Sequence, residues 1–170
     1  GFSTMRALTT WTGDPVKASR PFDSGRDGFA PSEGSGILIM ESLQHATARG
    51  AQIYAEIGGW GVSADAYHLV QPHPEGIGAA KAMQRALDSA GVSLDEIDYI
   101  NAHGTSTPLG DVAEVAAVKG LFGDHAYSLA MSSTKSCTGH TLGAAGGLES
   151  IAVVKAIGEG VMPPTINLDY

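Results

Sequence analysis

Hydrophobic residues fall into short runs separated by glycine, proline and polar clusters, and the spacing within the runs changes along the chain. Ile37-Leu38-Ile39-Met40 is continuous and apolar, the pattern of a buried strand. Ser42 stands before a short helix over 43–49, which Gly50 ends. Across 52–62, Ile53, Ala55 and Ile57 alternate onto one face and predict a second strand. Ile77, Ala80, Met83, Ala86, Leu87 and Ala90 share a helical face, with Gly91 at the C′ position. Further strands are predicted over 97–102 and 129–133, and helices over 111–122 and 141–157. Residues 2–8 read as the end of a helix begun upstream, and 21–36 and 63–76 read as loops. Strands alternating with helices define an α/β layer fold, here in one domain over 1–170. Gly143, Gly146 and Gly147 in the last helix each cost about 1 kcal/mol against Ala. Such a helix is expected to be central, buried and packed against another backbone.

Composition narrows the function. Hydrophobic residues make up 43% and charged residues 16%, enough apolar material for a core and too little charge for disorder. Ten Lys and Arg stand against eighteen Asp and Glu, with no basic cluster, which argues against nucleic-acid binding. Cys137 is the single cysteine, so no intrachain disulfide can form. The first ten residues lack the apolar core of a secretory leader, and no apolar stretch approaches the roughly 18 residues of a membrane span. A cytosolic protein without a membrane segment is the expectation.

Two segments could carry chemistry. In the first, a predicted strand delivers His103, followed by Gly104, the hydroxyls of Thr105, Ser106 and Thr107, and a turn into a helix at Gly110-Asp111. Open α/β sheets place their sites at such strand ends; a capped turn with a structural histidine fits the same residues. In the second, Ser132-Ser133-Thr134-Lys135-Ser136-Cys137-Thr138-Gly139-His140 leads from a strand into the last helix. His140 at that helix N-terminus would be held neutral by the helix dipole, and a neutral imidazole can donate to an oxyanion. Lys135 beside a Gly/Ala-rich helix needs a counter-charge, and Glu149 is the candidate. A surface lysine and a satisfied core histidine are the structural alternative. Ser132 to Lys135 also fits the Ser-x-x-Lys of serine acylases, without its companion motifs. His45, His68, His73 and His125 are scattered, with neither a metal-ligand spacing nor a phosphate loop nearby.

Taken in order, these motifs resemble the β-ketoacyl-acyl-carrier-protein synthases of the thiolase-like superfamily. His103-Gly-Thr-Ser-Thr-Pro-Leu-Gly-Asp111 is similar to the family's first histidine motif, and the run from Lys135 to Gly146 to its lysine and second histidine motif. Arg20-Pro-Phe-Asp23, Arg26-Asp-Gly-Phe29, Glu33-Gly-Ser-Gly36, Ser63-Ala-Asp-Ala-Tyr-His68 and Pro163-Pro-Thr-Ile-Asn-Leu-Asp169 also fit. Ser106 and Thr138 set the chain nearer the fatty-acid enzymes, of the elongating synthase II type, than the polyketide ketosynthases.

The resemblance implies a layered α/β/α thiolase-like fold of which this chain is a C-terminal portion, incomplete at both ends. It implies an acyltransferase of fatty-acid elongation that joins an acyl thioester to malonyl-acyl-carrier protein by decarboxylative Claisen condensation. Its catalytic residues would be His103, His140 and Lys135, with Glu149 supporting the lysine. Thr105 and Thr107 would contact the phosphopantetheine arm of acyl-carrier protein; no other cofactor and no metal is implied. A homodimer is expected. The family's nucleophilic cysteine lies upstream of this sequence, so the separate chain is expected to be inactive, and its open sheet edges to leave it poorly stable. Cys137 stands where the family often has methionine and is expected to be a buried packing residue. Val70 and Gln71 replace a common Thr-Ser pair near the pantetheine, and Pro31-Ser32 a small or glycine pair. A non-catalytic chain-length-factor subunit is the competing reading; such relatives often lose the histidine motifs, which are intact here.

Overall fold

The structure, a computed structural model, describes residues 1–170. Its regular elements are helices α1 (Leu43–Ala48) and α2 (Ile77–Ala90), strand β1 (Tyr99–Asn101), helix α3 (Pro108–Phe122), strand β2 (Ala130–Ser132), one-turn helix α4 (Lys135–Thr138) and helix α5 (Ala145–Glu159). β1 and β2 pair in parallel, Ile100 opposite Met131, with α3 in the connection between them. Val118 and Phe122 of α3 pack with Leu129 at the centre, and Ile97, Ile100, Met131 and Met83 close round them. α2 lies against α3. No helix is long and apolar enough to cross a membrane.

Several expectations need correction. α3 begins at Pro108, ahead of Asp111, because extended Thr107 precedes a proline whose fixed φ suits a first helical position. Leu142, at φ +54, interrupts the helix expected from Thr141, so a short 3-10 turn precedes α5. Residues 2–8 form turns rather than a helix end, and Leu8 bridges to Phe29. The runs 37–40 and 52–62 are not strands: their N–H and C=O groups pair with no other strand, and at Gly59 and Gly61 the second run lies against helix α2 instead. Ile37 and Ile39 are 82% and 81% exposed rather than buried. They flank an open groove of about 810 Å³ together with Ile53, Ile57, Ile151 and Val154.

α5 is likewise not buried; among its residues only Ala145 is. The expected backbone-to-backbone contact exists at one of the three glycines. A Cβ on Gly147 would lie 2.9 Å from the Gly36 carbonyl oxygen, whereas Gly143 and Gly146 face no neighbour.

A buried clasp joins the first loop to the end of the chain. Asp23, 1% exposed, accepts from Arg20 Nε at 2.8 Å and from the backbone N–H groups of Gly25, Asp169 and Tyr170. The Arg20 hydrogen bond, working against burial and helped by those N–H groups, holds the Asp23 carboxyl well below the usual carboxylate range. Arg20 also reaches Asp169, whose side chain is 57% exposed, so the clasp sits just beneath the surface. Asp23→Ala is expected to cost about 2–3 kcal/mol, less than a deeply buried pair that loses one partner, because the clasp lies near solvent. Because the folded-state pKa is depressed, the clasp contributes fully above the unfolded value near 4, weakens below it, and is lost only as pH falls through the depressed folded value. Urea unfolding of wild type and variant at pH 7 and pH 3 checks both statements, the gap narrowing but not vanishing at the lower pH.

Candidate active site

Two strand ends build the site. Ala102 N–H donates to the Ser132 carbonyl, carrying the β1–β2 pairing one residue further and leaving His103 at the end of β1. Glu114 of α3 then accepts from the N–H groups of His103 and Gly104, each at 2.7 Å. Asp111, 1% exposed, accepts from the N–H groups of Phe22, Ser106 and Thr107, and so stabilises Ser106 in the left-handed region at φ +70. Gly104 is required where it stands: its φ is +30, and a Cβ would meet the Ser133 Cβ at 2.6 Å. Thr105 is buried, and its hydroxyl lies 3.1 Å from that of Thr107.

Beyond β2 the chain turns through α4. Lys135 is 1% exposed and its Nζ pairs with Glu149 Oε1 of α5, the partner expected from the sequence. His140 follows α4, not the start of the long helix. Its backbone is pinned to the first loop on both sides: its N–H donates to Ala30 O and its carbonyl accepts from Ser32 N–H. Its Nδ1 accepts from Leu142 N–H at 3.2 Å, which places the ring proton on Nε2. The rings of His103 and His140 meet edge to face, centroids 5.3 Å apart at 88°, and Phe29 packs on His140 at 5.1 Å.

The electrostatics follow from this packing. Desolvation, then the Lys135 charge and then His140 lower the His103 pKa to about 4, although His103 remains an exposed residue. His140 is lowered by desolvation and by Lys135, with Glu149 opposing. Neutrality therefore comes from burial and a neighbouring cation, not from the helix end inferred from the sequence. Burial raises Asp111 and Glu114, against the backbone N–H groups that bind their charged forms. Two neutral rings beside a buried ammonium can stabilise negative charge developing on an oxygen.

The sequence reading missed Glu114 and the anchoring role of Asp111. The available signal was two carboxylates three residues apart in an otherwise Ala/Val-rich helix. Cys137 corrects another expectation: it is exposed, because on the one-turn α4 it is Ser136 that faces inward. His68 and His73 are turn residues, each accepting backbone N–H bonds at Nδ1 within their loop.

Comparison with known proteins places the chain in a family. The Beta-ketoacyl synthase, C-terminal domain matches residues 54–169, and the Beta-ketoacyl synthase, N-terminal domain matches residues 1–46. The chain belongs to the β-ketoacyl synthase family. It is 55% identical to 3-oxoacyl-[acyl-carrier-protein] synthase 2 of Coxiella burnetii and 54% to that of Synechocystis, over 99% of this chain in each case. The chain spans 41% of the length of those relatives. Among solved structures, a type II polyketide ketosynthase in complex with its acyl-carrier protein matches with TM-score 0.96 at 40% identity. A β-ketoacyl synthase from Burkholderia phymatum matches with TM-score 0.92 at 43% identity. Each match covers 99% of this chain, against 41% and 40% of the respective structure, so the fold is a portion of the thiolase-like ketosynthase architecture.

Both histidines are expected to titrate below 6.5, His103 near pH 4. Lys135→Met removes a cation and leaves Glu149 unopposed, so both values should rise. Histidine C2-proton NMR titration of wild type and variant measures this.

Proposed function

We propose that this chain is the histidine- and lysine-bearing portion of an elongating 3-oxoacyl-acyl-carrier-protein synthase. The observation that carries the reading is the convergence of neutral His103 and His140 beside the buried Lys135–Glu149 pair. Relatives at 54–55% identity that bear the name synthase 2 support the subtype.

A nucleophilic cysteine contributed from outside these 170 residues takes the acyl group from its carrier thioester and releases the carrier thiol. Malonyl-acyl-carrier protein then enters, with the Thr105 and Thr107 hydroxyls on its phosphopantetheine arm. Its carboxylate leaves as CO2 and the electron pair passes into the thioester, giving an enolate whose oxygen bears the charge. His140 Nε2–H and the His103 ring stabilise that oxygen, and Lys135, held by Glu149, sets the potential around it. The enolate carbon attacks the acyl thioester, the tetrahedral adduct expels the cysteine thiolate, and β-ketoacyl-acyl-carrier protein departs. The protein acts as a cytosolic homodimer with acyl-carrier protein as partner, and needs no metal or further cofactor. A chain-length-factor role does not use a convergent His/His/Lys set, and the set is complete here.

The full-length protein, given acyl- and malonyl-acyl-carrier protein, is expected to release CO2 and form a β-ketoacyl product detectable by mass spectrometry. His103→Ala and His140→Ala should each lower CO2 release by about 10²–10³-fold, the usual effect of losing an oxyanion donor. A full-length protein that forms no such product overturns the reading.

A further inference from the structure

Lys135 opens a helix of only four residues, with no side-chain cap from Thr134 at its start. One isolated turn has little stability of its own. Its geometry is set by what binds its peptide groups from outside. The Lys135 carbonyl accepts from Gly139 N–H at 2.9 Å, which closes the turn just before His140. The same oxygen accepts a second bond, at 2.6 Å, from the hydroxyl of Ser19, a buried residue 116 positions earlier in the chain.

Ser19 is itself held from two sides. Its carbonyl accepts from Asn167 Nδ2 at 2.9 Å, and the next residue, Arg20, donates its backbone N–H to Ser106 Oγ at 3.1 Å. The Ser19-Arg20 peptide thus touches both site loops at once, the Lys135 turn through a side chain and the His103 loop through Ser106. We infer that Ser19 is a positioning residue: its hydroxyl fixes the peptide plane of Lys135, and with it the directions of the Lys135 ammonium and the His140 ring relative to His103.

This inference rests on the condensing reaction proposed above, and one comparison separates the two. In the full-length protein, Ser19→Ala is expected to lower CO2 release from malonyl-acyl-carrier protein about tenfold through kcat, as displacement of an aligned group does. Acyl transfer to the nucleophile, which does not draw on the Lys135 turn, should stay within about twofold, and KM for the malonyl substrate should hold. Ser19→Thr, which keeps the hydroxyl, should recover most of the decarboxylation. If Ser19→Ala does not fold, the near-isosteric Ser19→Cys, a much weaker donor, carries the same comparison. Equal losses in the two half-reactions, or no loss in either, in an active wild-type background overturn the positioning role alone. A wild-type protein that releases no CO2 overturns the condensing reading and this inference with it.

Discussion

An ammonium group almost wholly removed from water is the constraint to which the site answers. Lys135 is 1% exposed, and an unpaired charge there would be prohibitive, so Glu149 must be delivered from α5. That fixes where α5 runs and why the chain turns so tightly between α4 and its first helical turn. It also adds to desolvation, the larger effect, in keeping the two histidines neutral. The pair is thus less a stability device than the source of the local potential.

Around this pair the polypeptide uses backbone groups more than side-chain bulk. Glu114, Asp111 and Asp23 each accept two or more main-chain N–H bonds, and each anchors a loop with little regular structure of its own. Carboxylates suit the task because each offers two oxygens and about four lone-pair sites to converging donors. Loops held this way keep unusual conformations, such as Ser106 at φ +70, without relying on a large hydrophobic core.

The sequence revealed those parts of the structure whose determinants are local. Most of the α2 face (Ile77 is 52% exposed), its glycine stop, the strands around 99–101 and 130–132 and the Lys135–Glu149 pairing all rest on spacing or on the chemistry of one residue type. The misjudged parts depend on partners distant in sequence. Ile37–Met40 reads as a buried strand because its residues suit one, but a strand exists only beside another. Glu114 resembles an ordinary helix-surface acid until its backbone targets are located. The histidine-bearing motifs were legible as a family resemblance, whereas the physical cause of the histidines' neutrality became clear only from the packing.

The Asp23 clasp also has a temporal meaning. Its acceptor lies near the start of this stretch, and two of its donors, Asp169 and Tyr170, lie 146 and 147 residues later. A chain emerging from the ribosome passes Arg20 and Asp23 long before those donors exist, at a rate of about 5–20 residues per second. For roughly 7–30 s the first loop therefore lacks two of the backbone donors that hold the Asp23 carboxylate. Closure of the clasp is in this sense a late event of synthesis, completed from the far end of the stretch.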